Sequence, residues 1–117
     1  MDEFINKLKE NGVDVDGALE RFMNNAAMYK KFLKKFENDP NYEVLKSAIE
    51  EKDTQKAFAA AHTLKGVCSN LSLTPLFNAV AKQTEYFRED KFEEGAALMP
   101  QVEEAYKNMV DLIGGIE

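Results

Sequence analysis

The chain has 117 residues, of which 44% are hydrophobic and 31% are charged, and this length and composition predict one soluble domain covering residues 1–117. Its net charge of −6 and its lack of a basic stripe with interleaved aromatic residues argue against a nucleic-acid-binding protein. No stretch reaches about 18 apolar residues, the length of a membrane span, and the N-terminal residues lack a signal-peptide pattern, so we expect a cytoplasmic protein without membrane contact.

Two short helices are predicted at the N-terminal end. The first covers about residues 2–10, and the second begins at a cap at Asp16 and ends near residue 23. Leu19, Phe22 and Met23 form a dense apolar cluster on the second helix. Two interpretations of this cluster remain open: it closes one end of a helical bundle, or part of it stays exposed as a docking surface.

A longer helix is predicted over about residues 25–37, and a further segment begins near residue 41. Pro40 separates them, because proline breaks the interior of a helix but fits its first turn. In the first segment, apolar residues repeat at helical spacing: Met28, Tyr29, Phe32, Leu33 and Phe36. In the second segment, the positions expected to face inward are Tyr42, Leu45, Ala48 and Ile49.

The next helix carries the only histidine of the chain. It is predicted to run from a cap at Asp53 to about Leu71. Its apolar stripe, which must face a core, consists of Ala57, Ala61, Leu64, Cys68 and Leu71. His62 lies roughly 140° from the centre of that stripe and is therefore expected to point outward. We interpret the single cysteine, Cys68, as a small core residue.

The residues beside His62 favour an approaching phosphoryl group over a metal ion. Lys65 places a mobile positive charge one turn along the helix, which attracts phosphate oxygens and repels a cation. Gly66 costs about 1 kcal/mol of helix stability relative to alanine and leaves bare surface next to His62. No second imidazole is available as a metal ligand, and no glycine-rich phosphate loop predicts ATP binding.

A further helix is predicted over about residues 75–89, with Thr74 as its cap and Pro75 at its first position. Gln83 falls in its stripe, where an apolar residue is expected. If this helix runs antiparallel to the previous one, Gln83 lies roughly level with His62, and its amide can orient the imidazole. The alternative is that Gln83 lies at the edge of the stripe and reaches solvent.

The last predicted helix covers about residues 93–113 and stops at Gly114. Its apolar face consists of Leu98, Val102, Ala105, Met109 and Leu112. Pro100 predicts either a bend or a later start. Because no strand pattern occurs, we predict an all-α fold: an antiparallel up-down-up-down four-helix bundle over about residues 25–113, with the short helices of residues 2–24 packed across one end.

Several segments resemble the histidine-containing phosphotransfer (HPt) domains of two-component phosphorelays. The AHTLKG stretch that contains His62 resembles the AHxLKG signature of that family. Residues 17–22, 29–36 and 45–53 resemble its G-L-x-R-F, Y-x-x-L-L-x-x-F and L-x-x-A-L-x-x-x-D runs, and the likeness spans about residues 12–113. One departure is Ser72, where the family commonly has a glycine, and this difference leaves open a shortened or reshaped end of the histidine helix.

The resemblance implies a phosphocarrier rather than an autonomous enzyme, without a cofactor of its own. His62 would exchange a phosphoryl group with the aspartate of a receiver domain, on a response regulator or a hybrid histidine kinase, and that partner and its magnesium would supply most of the catalysis. Lys65 would offset charge on the phosphoryl oxygens, and Gly66 would admit the partner's active-site loop. The docking residues implied are Phe58, Ser69, Leu19, Phe22, Met23 and Gln83.

An alternative is an adaptor bundle that binds a receiver or kinase domain without being phosphorylated. Nothing in the sequence demands a dimer, so we expect a monomer.

Overall fold

The computed structural model describes residues 3–115, and this part of the chain contains eight α-helices and no strand. The helices are α1 (Glu3–Glu10), α2 (Val15–Arg21), α3 (Ala26–Phe36), α4 (Asn41–Glu50), α5 (Thr54–Leu71), α6 (Thr74–Arg88), α7 (Phe92–Ala97) and α8 (Met99–Gly114). The predicted all-α class is therefore confirmed. Asp2, the predicted start of the first helix, lies outside the described residues. Within them, no helix is long and apolar enough to cross a membrane.

The histidine helix, α5, lies at the centre of the packing. It contacts α4 and α6 most extensively, and α6 in turn contacts α7 and α8. All five positions of its predicted stripe are buried: Ala57, Ala61, Leu64, Cys68 and Leu71. The predicted cap is also confirmed, because the Asp53 carboxylate accepts a hydrogen bond from the backbone N–H of Lys56 at 3.1 Å. Periodicity and cap together give this helix its start and its orientation.

The break at Pro40 is confirmed, and the apolar residues of α3 divide between the core and the surface. Tyr29, Leu33 and Phe36 are buried, whereas Met28 is 45% exposed and Phe32 is 40% exposed. Met28 and Phe32 lie one turn apart on a side of α3 that stays open to solvent, where Phe32 contacts the ring of Phe22, with 5.5 Å between ring centroids.

The N-terminal cap of α2 is Asp14 and not Asp16, so that prediction is wrong. The Asp14 carboxylate accepts a hydrogen bond from the backbone N–H of Gly17 at 3.1 Å. The helix starts two residues earlier because Val15 is buried and must belong to its first turn. Asp16 is exposed and pairs with Lys9, at 3.4 Å between carboxylate and ammonium.

The C-terminal part of the chain forms two helices instead of the single predicted one. Leu98 separates the two helices, and Pro100 lies in the first turn of α8, where its missing N–H leaves no hydrogen bond unmade. Of the two alternatives for Pro100, the later start is correct. Gly95 of α7 lies against Phe87 of α6, and a Cβ there would come within 2.5 Å of the ring, so only glycine fits this contact. The predicted stop at Gly114 is confirmed.

The turn between α5 and α6 is short. Thr74 is the first residue of α6 and Leu73 is the capping residue, one position earlier than predicted, with Pro75 in the first turn as expected. Helices that pack against each other across so short a connection run antiparallel, so residues equally distant from the turn lie level with each other. This relation gives the height of each α6 residue relative to the histidine.

Candidate functional site

His62 lies in the middle of α5 with its side chain exposed. Its imidazole lies one turn after Phe58, with 5.7 Å between ring centroids and 17° between ring planes. This spacing and tilt correspond to an offset-stacked pair. The helix therefore presents the imidazole to solvent with one face directed at a half-buried aromatic ring.

Phe58 has a second partner on α6. The guanidinium carbon of Arg88 lies 5.1 Å from the centroid of the Phe58 ring, within the range of a cation–π interaction. Arg88 is held in turn by Glu85, with 3.2 Å between Nε and the carboxylate. A continuous series of contacts thus runs from Glu85 through Arg88 and Phe58 to His62.

Lys65 and Gly66 follow His62 on the same side of α5. Lys65 is half-buried, and no other side chain or loop lies within 4 Å of where a Cβ of Gly66 would stand. Packing within the described residues therefore does not require glycine at this position. Ser69, one turn further, is also exposed. The surface beside the imidazole is open over a full helical turn.

Gln83 does not take part in this surface. It is 0% exposed, and its amide nitrogen donates a hydrogen bond to the backbone carbonyl of Gly95 at 3.1 Å. The expectation that it reaches solvent is wrong, and the structure also contradicts its expected place among the docking residues. Its position is level with His62, but its amide nitrogen bonds to the backbone of α7. The relation across the turn fixes height along the helix and not the direction of a side chain.

Ser72, the departure from the family pattern, ends α5 in the left-handed conformation, with φ 57° and ψ 35°. Glycine is the usual residue for this conformation because it has no Cβ to clash. The helix is not shortened, because α5 runs to Leu71 as predicted. The Ser72 hydroxyl accepts a hydrogen bond from the guanidinium of Arg21, a contact that glycine could not make.

The carbonyl groups at the end of α5 are capped by residues from α2 and α3. Arg21 Nε donates to the carbonyl of Asn70 at 3.2 Å, and the Tyr29 hydroxyl donates to that of Leu71 at 2.8 Å. The backbone N–H of Asp14 donates to the carbonyl of Ser72 at 3.2 Å. Burial raises the pKa of Tyr29, so its hydroxyl stays a donor at neutral pH. These bonds satisfy carbonyls that a helix end leaves unpaired, and they fix α2 beside α5.

The apolar cluster of α2 is partly packed against the core and partly exposed, so each of its two interpretations, closure of the bundle end and exposed surface, describes part of it. Leu19 and Phe22 are half-buried against the core, and the Phe22 ring contacts that of Tyr29 at 5.5 Å between centroids. Met23, just after α2, is 88% exposed. A surface cavity of about 310 Å³ opens between α2, α3 and α5 next to Phe22 and Val67. The cluster both closes the end of the helices and leaves apolar surface accessible.

Other chemistry has little support in residues 3–115. Burial raises the pKa of the Cys68 thiol to about 12, so the thiol is protonated and unreactive at neutral pH. No group of three or more histidine, cysteine, aspartate or glutamate side chains in this range is arranged to hold a metal ion.

Neither Arg88 nor Arg21 was predicted from the sequence as a site residue. The sequence does contain a pattern that predicts the place of Arg88. Phe58 and Arg88 are equally far along the sequence from Leu73 in the turn, so these two residues lie level with each other on α5 and α6. Arg21 was within the G-L-x-R-F resemblance, but its contact with Ser72 joins distant parts of the chain and has no signature in local sequence.

A family model described as Hpt domain matches residues 27–113. This range includes His62 and every residue of α3 to α7 except Ala26. Neither the curated proteins nor the solved structures gave a match to the chain.

Proposed function

Because the chain belongs to the Hpt domain family, whose members take part in histidine phosphotransfer in phosphorelays, we propose that His62 is its phosphorylated residue. His62 would exchange the phosphoryl group reversibly with the aspartate of a receiver domain, on a response regulator or a hybrid histidine kinase. The observation that carries this proposal is the exposure of the only histidine, within the matched range, on an open face of α5.

The proposed transfer uses the imidazole of this chain and the aspartyl phosphate of the receiver, whose bound magnesium would assist it. A lone pair on an unprotonated ring nitrogen of His62 attacks the phosphorus of the receiver's aspartyl phosphate. The P–N bond forms while the P–O bond to the aspartate breaks, and the aspartate leaves as a carboxylate with the bonding electrons. The second ring nitrogen keeps its proton or releases it to water. The same steps in reverse return the phosphoryl group to the receiver.

Lys65 and Gly66 have complementary roles in this proposal. The ammonium of Lys65, one turn from the imidazole, offsets the negative charge of the transferred oxygens. Gly66 keeps the neighbouring surface free of a side chain, so the partner's loop can approach. The open space around a Cβ at Gly66 supports this role, because packing gives no other reason for glycine there.

Docking would involve the exposed and half-buried residues on either side of His62. On α5 these are Phe58 and Ser69, and near α2 they are Leu19, Phe22 and Met23. An apolar surface next to a charged reaction centre is suited to a transient complex. The apolar contact contributes affinity, and the charged group orients the partner. We expect the protein to act in this way as a cytoplasmic monomer.

We extend the proposal to the finer architecture. α3 with α4, α5, α6 and α8 would form the antiparallel four-helix bundle of a single domain, with α1 and α2 across one end. The contacts of α5 with α4 and α6, of α6 with α8 and of α3 with α8 support a closed ring of helices.

The test is transfer of labelled phosphate from a receiver domain charged with acetyl phosphate and magnesium. Wild type should acquire a label that is lost in acid and stable in base, and His62→Gln should not. A matched control combines His62→Gln with Gln55→His, which moves the histidine two turns along the same exposed side of α5, away from Lys65 and Gly66. This control should also remain unlabelled. If the wild-type protein binds several phosphorylated receiver domains but acquires no label, the adaptor alternative is favoured.

A further inference from the structure

We propose that Phe58, held by Arg88, fixes the plane of the His62 imidazole for phosphoryl transfer. This inference rests on the proposed function of His62 and assigns a positioning role to two residues outside the family signature.

The first support is the geometry of the two rings. The centroids of Phe58 and His62 are 5.7 Å apart and their planes differ by 17°. Both side chains leave α5 in the same direction, because they are separated by four residues, or about one helical turn. A near-parallel aromatic neighbour restricts rotation of the imidazole about its Cβ–Cγ bond, since a turned ring would lose the offset-stacked contact.

The second support is that Phe58 is itself fixed from α6. The Arg88 guanidinium lies 5.1 Å from the Phe58 ring centroid. It is joined to Glu85 on its own helix by an ion pair of 3.2 Å. A half-buried phenyl ring with a cation over it has fewer accessible rotamers than a free one. The orientation of Phe58 is therefore determined by two helices at once.

The third support is the placement of polar groups around the imidazole. The amide of Gln83, which lies level with His62 and could have oriented the ring, bonds to Gly95 instead. The aromatic ring that lies beside the imidazole is that of Phe58. Stacking leaves both ring nitrogens accessible, whereas a hydrogen bond would occupy one. This matters because the attacking lone pair lies in the plane of the ring, so fixing the plane also fixes the line of attack.

The direct test is proton NMR of the unphosphorylated protein. His62 is the only histidine, so its Hδ2 and Hε1 signals are assigned without ambiguity. Ring current from Phe58 shifts them, and Phe58→Leu should move both towards their positions in a free imidazole, while Phe58→Tyr should retain them. Arg88→Gln should move them in the same direction as Phe58→Leu by a smaller amount. The matched control is Phe32→Leu, because Phe32 also has a cation, Lys35, over its ring at 4.9 Å but lies on α3. It should leave the His62 signals unchanged.

The kinetic test separates positioning from docking. With a receiver domain phosphorylated by acetyl phosphate, Phe58→Leu should lower kcat, the transfer rate at saturating receiver, about 3- to 10-fold, and Phe58→Tyr should restore it. Because Phe58 also lies on the proposed docking surface, the change in kcat, and not a change in KM, measures positioning. The proposal is overturned if Phe58→Leu leaves the His62 signals in place, or if it raises KM alone and Phe58→Tyr does not rescue it. An unmoved signal in Arg88→Gln would remove Arg88 from the proposal. If wild type accepts no phosphate, the proposed function fails, while the NMR result still decides whether Phe58 orients the imidazole.

Discussion

The contact between Ser72 and Arg21 gives a prediction with a worked magnitude. Ser72→Ala removes the hydroxyl that accepts from the Arg21 guanidinium but keeps a Cβ in the left-handed conformation. Loss of a hydrogen bond to a charged donor costs about 1.5 kcal/mol, near the lower end of the usual range because Arg21 is exposed. Ser72→Gly loses the same bond but relieves about 1 kcal/mol of backbone strain. The free energy of unfolding should therefore fall by about 1.5 kcal/mol in Ser72→Ala and by about 0.5 kcal/mol in Ser72→Gly.

The assay is urea unfolding followed by far-ultraviolet circular dichroism, with the free energy extrapolated to water. Ser69→Ala is the matched control, since Ser69 is an exposed serine near the end of the same helix, and it should change the free energy of unfolding by less than about 0.5 kcal/mol. Equal stability of Ser72→Ala and wild type would refute a stabilising contact with Arg21. Equal stability of Ser72→Ala and Ser72→Gly would refute the left-handed conformation at this residue.

Three further predictions concern stability and reactivity. Gly66→Ala should raise the free energy of unfolding by about 1 kcal/mol, because nothing obstructs the added methyl group, and it should slow phosphotransfer; unchanged transfer would contradict the proposed role of Gly66. Asp14→Ala should lower the free energy of unfolding by about 1 kcal/mol through loss of the α2 cap, whereas Asp16→Ala should change it by less than about 0.5 kcal/mol, and the reverse order in urea unfolding would show that the cap is misassigned. The Cys68 thiol, with its pKa raised to about 12 by burial, should react with a thiol reagent near neutral pH only in the denatured protein, and fast labelling of the native protein would contradict its burial.

The histidine helix could be predicted from sequence because it is long and its signals agree. The stripe from Ala57 to Leu71 spans several turns, so a small error in phase does not change which side is buried. Asp53 precedes it at the right place for a cap. The outward direction of His62 follows from these two facts alone.

The shorter elements could not be placed so well, because their signals are local and compete. Asp14 and Asp16 are both acceptable caps, and burial of Val15 decides between them. Gln83 shows a different difficulty: counting residues across the turn gives its height but not its rotation, which depends on how α6 packs against α7. Contacts between distant residues, such as that of Arg21 with Ser72, appear only after the helices are assembled.

The central claim, that His62 carries a phosphoryl group, is tested most directly by phosphorus NMR of the wild-type protein after incubation with a receiver domain charged by acetyl phosphate. The account predicts a phosphoramidate signal that disappears in acid, persists in base and is absent from His62→Gln. Because the chain has only one histidine, such a signal identifies its site. The claim is contradicted if the protein binds phosphorylated receiver domains and shows no phosphoramidate signal. It is also contradicted if the signal persists in His62→Gln.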